Sequence, residues 1–331
     1  MASQQRIILV GIGASIGVVA IGLVLWVKHR RNKLPTKWKK VGEISDLVCF
    51  PVKSMGPIRE TEMEATNLGL KKGNLRDRVF MVVNLKGEFL TARQYPKMVL
   101  IEPEIIGNTL TLKGPDMNDT VVIDLERILK QVIQHSMIWG DRVRVIDCGD
   151  EAARWISRFL SSDDLGFRLL YYPNEEPRVR HTKKSYFPKI LEKDSGALFD
   201  ETSYMLMTES SVADLNDRTK LHTPIQQFRP NFVVKGTQPF EEDDWDYIKI
   251  GSDAIFRNVR PCLRCVLTTV NPETGIKDSD SEPLKTLRTY RQVKDPVVQK
   301  GERYAPHLGI HLGLRAKGIV KLGDPVYINV N

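Results

Sequence analysis

The pattern of apolar and polar positions splits the chain into one long apolar run and a body of short alternating segments. From Ile7 to Val27 no charged residue interrupts 21 successive positions. As a helix such a run is about 31 Å long, enough to cross the hydrocarbon core of a bilayer. It is too long for the apolar region of a secretory signal, and no small-residue cleavage site follows it. Trp26 stands where an interfacial aromatic belongs, and the basic stretch Lys28–Lys40 follows at once. The positive-inside rule then places the C-terminal body on the cytosolic side, with residues 1–6 as a short translocated tail. Gly11, Gly13 and Gly17 have the spacing GxGxxxG rather than that of a dinucleotide loop, and the first acid is Glu43, which disfavours a nucleotide site there. Gly13 and Gly17 also form a GxxxG pair, a candidate helix–helix face.

After a solvated linker over 28–42, β-like runs recur between turn residues. They include Glu43–Phe50, Val79–Leu85, Thr109–Leu112, Thr120–Leu125, Arg142–Asp147 and Phe167–Tyr172. Asn231–Lys235, Tyr247–Ile250, Ala254–Val259, Val266–Val270 and Val326–Val330 follow. Many short strands at such spacing predict a barrel or sandwich. Two helices stand out: Glu151–Leu160, with Ala152, Ile156, Phe159 and Leu160 on one face and Asp150 as N-cap, and Ser211–Asp217, opened by Ser211-x-x-Asp214. The polar, proline-containing stretch 173–193 separates an N-terminal domain, 43–172, from a C-terminal domain, 194–331.

Charge changes this picture in one respect. The 331 residues carry a formal net charge of +8. Residues 1–40 hold eight Lys/Arg and no acid, so the rest of the chain is formally neutral. The basicity belongs to the membrane-flanking region, and a nucleic-acid-binding body is not indicated. Four cysteines, Cys49, Cys148, Cys262 and Cys265, are too few for a disulfide scaffold and suit a reducing compartment.

The sharpest local feature is Arg260-Pro261-Cys262-Leu263-Arg264-Cys265, followed by Val266-Leu267-Thr268-Thr269. A redox dithiol should open a helix, whereas β-branched residues here lead into a strand. Zinc would need more ligands; His307-x-x-x-His311 lies far outside finger spacing. Two buried inert thiols are a plain structural alternative. A fourth reading is one thiolate on a metal, with Arg260 and Arg264 holding an anionic cofactor through their planar donors. Local sequence leaves these open.

Further motifs span nearly the whole chain: Phe50-Pro51-Val52-Lys53-Ser54, Gly73-Asn74-Leu75-Arg76-Asp77-Arg78 and Thr91-Ala92-Arg93-Gln94. They continue through Ala213-Asp214-Leu215-Asn216, Phe228-Arg229-Pro230-Asn231, Cys262-x-Arg264-Cys265 and Gly323-Asp324-Pro325-Val326-Tyr327. In these motifs and their order the chain resembles the MOSC (molybdenum cofactor sulfurase C-terminal) family, in its membrane-anchored reductase branch. The resemblance implies an α+β, predominantly β fold: a MOSC-type β-barrel behind an N-terminal MOSC-associated β/α domain, preceded by one transmembrane helix.

The resemblance further implies a molybdenum cofactor (Mo-molybdopterin), with Cys265 as the metal's thiolate ligand and the catalytic position. Lys53, Ser54, Arg78, Arg229, Asn231 and Arg264 match positions that hold the pterin and its phosphate, and Thr202 and Ser203 match polar cofactor contacts. Cys262 does not bind metal. The implied activity is reduction of N-hydroxylated compounds, with electrons from cytochrome b5 and its NADH-dependent reductase on the outer mitochondrial membrane. A carrier of sulfur or cofactor, using Cys265 as a persulfide, is the alternative. The chain departs from the family pattern at Met55-Gly56-Pro57, and at His311, where a tyrosine is usual.

Overall fold

The computed structural model describes residues 34–161, 164–180 and 187–330. The apolar run Ile7–Val27 lies outside them, and among the described residues no helix is long and apolar enough to cross a membrane. Trp38–Asn329 form one compact unit; residues 34–37 and 330 belong to a separate unit and have no regular structure.

The first strand, β1 (Trp38–Cys49), begins inside the stretch expected to be linker. It is followed by β2 (Ile58–Arg59), β3 (Glu62–Thr66), β4 (Gly69–Lys72), β5 (Leu75–Arg76) and β6 (Phe80–Asn84). Then come β7 (Glu102–Ile106), β8 (Thr109–Lys113), β9 (Val121–Asp124), β10 (Ile133–Ile138), β11 (Asp141–Asp147) and β12 (Phe167–Tyr171). The C-terminal half supplies β13 (Tyr204–Thr208), β14 (Phe232–Lys235), β15 (Tyr247–Ile250), β16 (Ala254–Leu263), β17 (His307–Ala316), β18 (Gly318–Lys321) and β19 (Pro325–Asn329).

The largest sheet runs β14-β13-β17-β16-β15-β19-β1-β2, and β14 also pairs with β1, so seven strands close a barrel and β2 stays outside the ring. Closure removes the exposed edges of an open sheet. The N-terminal strand therefore completes the C-terminal barrel. Gly42 permits this: a Cβ there would lie 2.4 Å from the carbonyl oxygen of Lys235 on β14. Only β13 and β14 run parallel within the ring, and the helix Glu209–Arg218 makes the crossover they require. Its N-cap is Thr208, whose hydroxyl accepts from the Ser211 N–H at 3.3 Å; the sequence pattern had pointed to Ser211 instead. The barrel is filled from its alternating inward positions by Ile44, Leu47, Tyr204, Phe232, Phe256 and Ile310. Tyr204, Phe232 and Phe256 pack ring to ring with centroids 5.0–5.6 Å apart.

A second core gathers around Phe80, Met81, Trp155, Ile156, Leu169 and Leu198. It is built by the sheet β10-β11-β12-β6, the meander β7-β8-β9 and the helix Asp150–Ser161. That helix buries Ala152, Ala153, Trp155 and Ile156, close to the face expected from its periodicity. Loops from both cores meet around 50–54, 76–79, 91–93, 199–203, 228–231 and 260–268, which bury the polar side chains of Lys53, Ser54, Asp77, Thr202, Asn231 and Arg264.

Candidate cofactor and substrate cavity

A cavity of about 810 Å³ opens between these loops. Lys53, Ser54, Arg78, Thr202, Arg229, Asn231, Arg264 and Cys265 all line it, although they come from positions up to 212 residues apart (Lys53 to Cys265). Ser203 does not line it. Its hydroxyl is placed to donate to the carbonyls of Asn67 (3.0 Å) and Asp194 (3.3 Å), so it ties the segment before β13 to the β3–β4 turn and is a structural residue rather than a cavity contact.

Cys265 is exposed, whereas Cys49 and Cys262 are buried and Cys148 is half-buried. The strand expected at Val266–Val270 is a 3-10 turn, Val266–Thr269, with Cys265 as its N-cap in extended conformation. The Cys265 carbonyl takes the Thr268 N–H at 3.0 Å and the Thr268 hydroxyl at 2.8 Å. The peptide is pinned while the thiol is left free. On β16, Cys262 packs among Met205, Met207 and Phe228, and burial pushes its thiol up, away from the thiolate form. Opposite environments three residues apart argue against a dithiol pair. The β16–β17 ladder is bulged between Pro261 and Leu263 and makes its last pair at Leu263–His307, so the strand ends just before Cys265.

The walls are cationic. Eight Lys/Arg side chains face three carboxylates, Asp200, Glu201 and Glu302. Lys53 is 5% exposed; its ammonium donates to the Leu198 carbonyl at 3.0 Å and to Asp200. Burial pushes it down to about 8 despite Asp200. Asp200 also takes Arg93 and, at 3.0 Å, the Trp139 indole N–H. Burial opposes its charge, but Lys53 and Arg93 together hold it well below the usual carboxylate range. Arg93 and Cys265 line the same cavity.

A second cluster rests on Asp77, which is fully buried. Asp77 accepts the Phe50 N–H at 2.8 Å, the Asn231 amide at 2.6 Å and Arg78 at 2.7 Å. Arg78 lies between the rings of Phe50 and Phe199, at 4.8 and 5.0 Å, and Arg229 covers Phe50 at 4.1 Å. Arg78 and Arg229 both adopt left-handed backbone conformations, with φ of 49° and 58°. Arg229 Nη2 is buried without a partner, as is Arg93 Nε. Burial, followed by repulsion from Arg78, disfavours the Arg229 charge. Arg264 differs: its donors are taken by the carbonyls of Leu308 (2.9 Å) and Phe228 (3.1 Å), so it contributes charge and wall rather than free donors.

Two chemical consequences follow. Unspent donors and uncompensated positive charge suit a multiply charged anion such as a phosphate-bearing cofactor. Among the described residues no group of three His, Cys, Asp or Glu is placed to hold a metal. A finger-like zinc site is therefore not formed by them. Sequence reasoning did not assign Arg93, Trp139, Arg180, Asp200 or Glu201 to the cavity, whereas Arg260, offered there as an anion holder beside Arg264, does line it. Arg93 was visible inside Thr91-Ala92-Arg93-Gln94, but Asp200 and Trp139 carry no local signal.

A family model described as MOSC N-terminal beta barrel domain matches residues 41–163, and one described as MOSC domain matches residues 193–327. The chain belongs to the MOSC family. Its relatives within that family include mitochondrial amidoxime-reducing component 1 of Homo sapiens, 36% identical over 98% of this chain and 95% of the relative. The Xenopus laevis component 1 is 37% identical over 95% and 90% of the two chains. Component 2 of Homo sapiens is 36% identical over 94% and 90%. As a MOSC protein the chain keeps its cysteine and basic residues on one cavity, and it places His311 at the wall. The His311 Nδ1 lies 3.0 Å from the Thr202 hydroxyl, and burial, with Arg260 adding to it, pushes His311 down to about 3.

Proposed function

We propose that this chain reduces N-hydroxylated compounds (amidoximes, hydroxylamines and N-hydroxy bases) with a molybdenum cofactor seated in the cavity. The carrying observation is that the exposed Cys265 thiol shares one cationic cavity with Lys53, Arg78 and Arg229, in a chain with full-length likeness to amidoxime-reducing components. Cys265 would be the protein ligand of the metal. Lys53, Ser54, Arg78, Arg229 and Asn231 would hold the pterin and its phosphate, with Thr202 at the wall. The bound group supplies two-electron exchange at an oxygen-seeking metal.

The chain's own residues do the rest. Asp77 and Asp200 keep Arg78, Lys53 and Arg93 aimed inward before anything binds, so little ordering is left to be done on binding. Arg93 lines the same cavity as Cys265 and adds positive charge to the wall there. His311, neutral at physiological pH, offers a hydrogen-bonding edge without adding charge. The overall conversion breaks the N–O bond, consumes two electrons and two protons and releases water.

The same reading takes residues 7–27 as a single membrane anchor, with the body in the cytosol at the outer mitochondrial membrane. Cytochrome b5 and its NADH-dependent reductase would be the electron donors, held at high local concentration by sharing that surface. It takes 43–172 and 194–331 as the two functional domains. The test is Cys265→Ser, which should lose bound molybdenum and amidoxime reduction together while unfolding at the parent's temperature. A variant that keeps either metal or turnover would overturn the assignment.

A further inference from the structure

The hairpin β10–β11 carries one solvent-facing row that the cavity does not use. The register places His135 opposite Arg144 and Met137 opposite Arg142, and all four side chains are exposed. Directly opposed residues on one face of an antiparallel pair touch, so these four form a continuous patch. Neither arginine makes an ion pair among the described residues. Of the hairpin's two acids, Asp141 is buried against Arg178 at 3.2 Å and Asp147 takes Arg168 at 2.9 Å. Met137 is 47% exposed and Trp139 44%. An apolar centre flanked by unpaired guanidinium groups is the composition of a protein-docking face rather than of a plain solvated strand.

Its location gives it a use. The hairpin turns at Trp139-Gly140, both at positive φ (53° and 85°). Trp139 stands two residues, about 7 Å along a strand, from the Met137–Arg142 pair. Its ring packs on Phe89 at 4.9 Å, lies 5.2 Å from the Arg93 guanidinium and lines the cavity mouth. Trp139, Arg93 and Cys265 line one cavity, so the patch ends at an aromatic that borders the space holding the thiol.

We propose that the His135–Met137–Arg142–Arg144 face, ending at Trp139, docks an acidic one-electron carrier protein that feeds the Cys265 cavity. The proposal rests on the reductase reading above. Two carriers in succession deliver the two electrons, solvent supplies the two protons, and the N–O oxygen leaves as water. Charge complementarity selects the partner: unpaired arginines favour an acidic rim and reject a basic one. Two residues carrying the charge make docking sensitive to ionic strength, because exposed charges are screened beyond about 8 Å at physiological salt.

The test compares the parent holoprotein with Arg142→Glu/Arg144→Glu, and with Lys39→Glu/Lys249→Glu on the barrel as a charge control. Four readouts are taken: turnover with reduced methyl viologen, turnover with soluble cytochrome b5 and its reductase, direct titration of oxidised cytochrome b5, and binding to phosphatidylserine vesicles. The patch variant should keep viologen-driven turnover. Its KM for the carrier, and the Kd from titration, should rise tenfold or more, with a flatter salt dependence; the barrel control should change neither by more than twofold. An unchanged carrier Kd in the patch variant would overturn the proposal. So would loss of binding to phosphatidylserine vesicles with carrier binding intact, which would assign the face to a membrane. Absent viologen turnover in the parent would defeat the reductase reading instead, and the titration would still decide whether the face docks the carrier.

Discussion

Lys53 provides a quantitative test of whether the cavity is built for a negative guest at the expense of the fold. Its ammonium is almost fully buried, and its folded value is about 8 against an ordinary 10.5. Because that value already includes Asp200, the charged lysine costs the cofactor-free fold roughly 3 kcal/mol. Replacing it by methionine removes the cost and forfeits the hydrogen bond to the Leu198 carbonyl, worth about 1 kcal/mol. Lys53→Met should therefore raise the unfolding free energy of cofactor-free protein at pH 7 by about 2 kcal/mol. The sign of the pH dependence follows from linkage. Between pH 8 and 10.5 the unfolded chain binds a proton at Lys53 that the folded chain has released, so this residue's contribution rises with pH across that window. Below pH 8 the penalty is present in full. Urea unfolding of parent and variant from pH 6 to 10.5 measures it: the variant's advantage should be constant below pH 8 and shrink above it. A variant that is less stable at pH 7, or an advantage independent of pH, would refute the reasoning. Cofactor retention should move oppositely, since the variant discards a positive charge meant for the anion.

Asp77→Ala strands Arg78 and Arg229 and should cost about 3–5 kcal/mol in urea unfolding, with Asp77→Asn milder because the Phe50 N–H keeps an acceptor. Gly309 sits at φ +71° with a would-be Cβ 2.6 Å from the Leu206 carbonyl oxygen. Gly309→Ala should lose about 2 kcal/mol or more, seen as a lower melting temperature. Iodoacetamide on folded, cofactor-free protein should modify Cys265 first, because burial raises the thiols of Cys49, Cys148 and Cys262; peptide mass spectrometry reads the order, and faster reaction at any of those three would contradict it. Phe256→Ala in the barrel should cost about 3–5 kcal/mol without altering metal content in whatever fraction remains folded.

Much of the strand content was legible because it follows from local periodicity. Phe80–Asn84, Thr109–Lys113, Asp141–Asp147, Phe167–Tyr171, Phe232–Lys235 and Tyr247–Ile250 fall within a residue or so of the expected runs. The failures share one cause. His307–Ala316 is a long barrel strand whose pattern is broken by Gly309, Gly313 and two histidines, and those glycines are set by close approaches to Leu206 and Asp194. Val266–Thr269 has strand composition but forms a 3-10 turn, because the β16–β17 ladder has ended at the Leu263–His307 pair. Ser203 matched a cofactor position in sequence, yet its hydroxyl is consumed by Asn67 and Asp194.

The sequence by itself determined which residues carry the chemistry: a cysteine beside arginines, further basic residues in recognisable motifs, and an apolar run ahead of a neutral body. Each of these is encoded in a few adjacent letters. The tertiary structure alone decided that Lys53, Arg78, Arg229 and Cys265 face one space, that Asp77 and Asp200 hold them there, and that Trp139 guards the mouth. Those relations depend on strand closure between β1 and β14 and on loops from two separate cores, and loop convergence leaves no periodic trace along a chain.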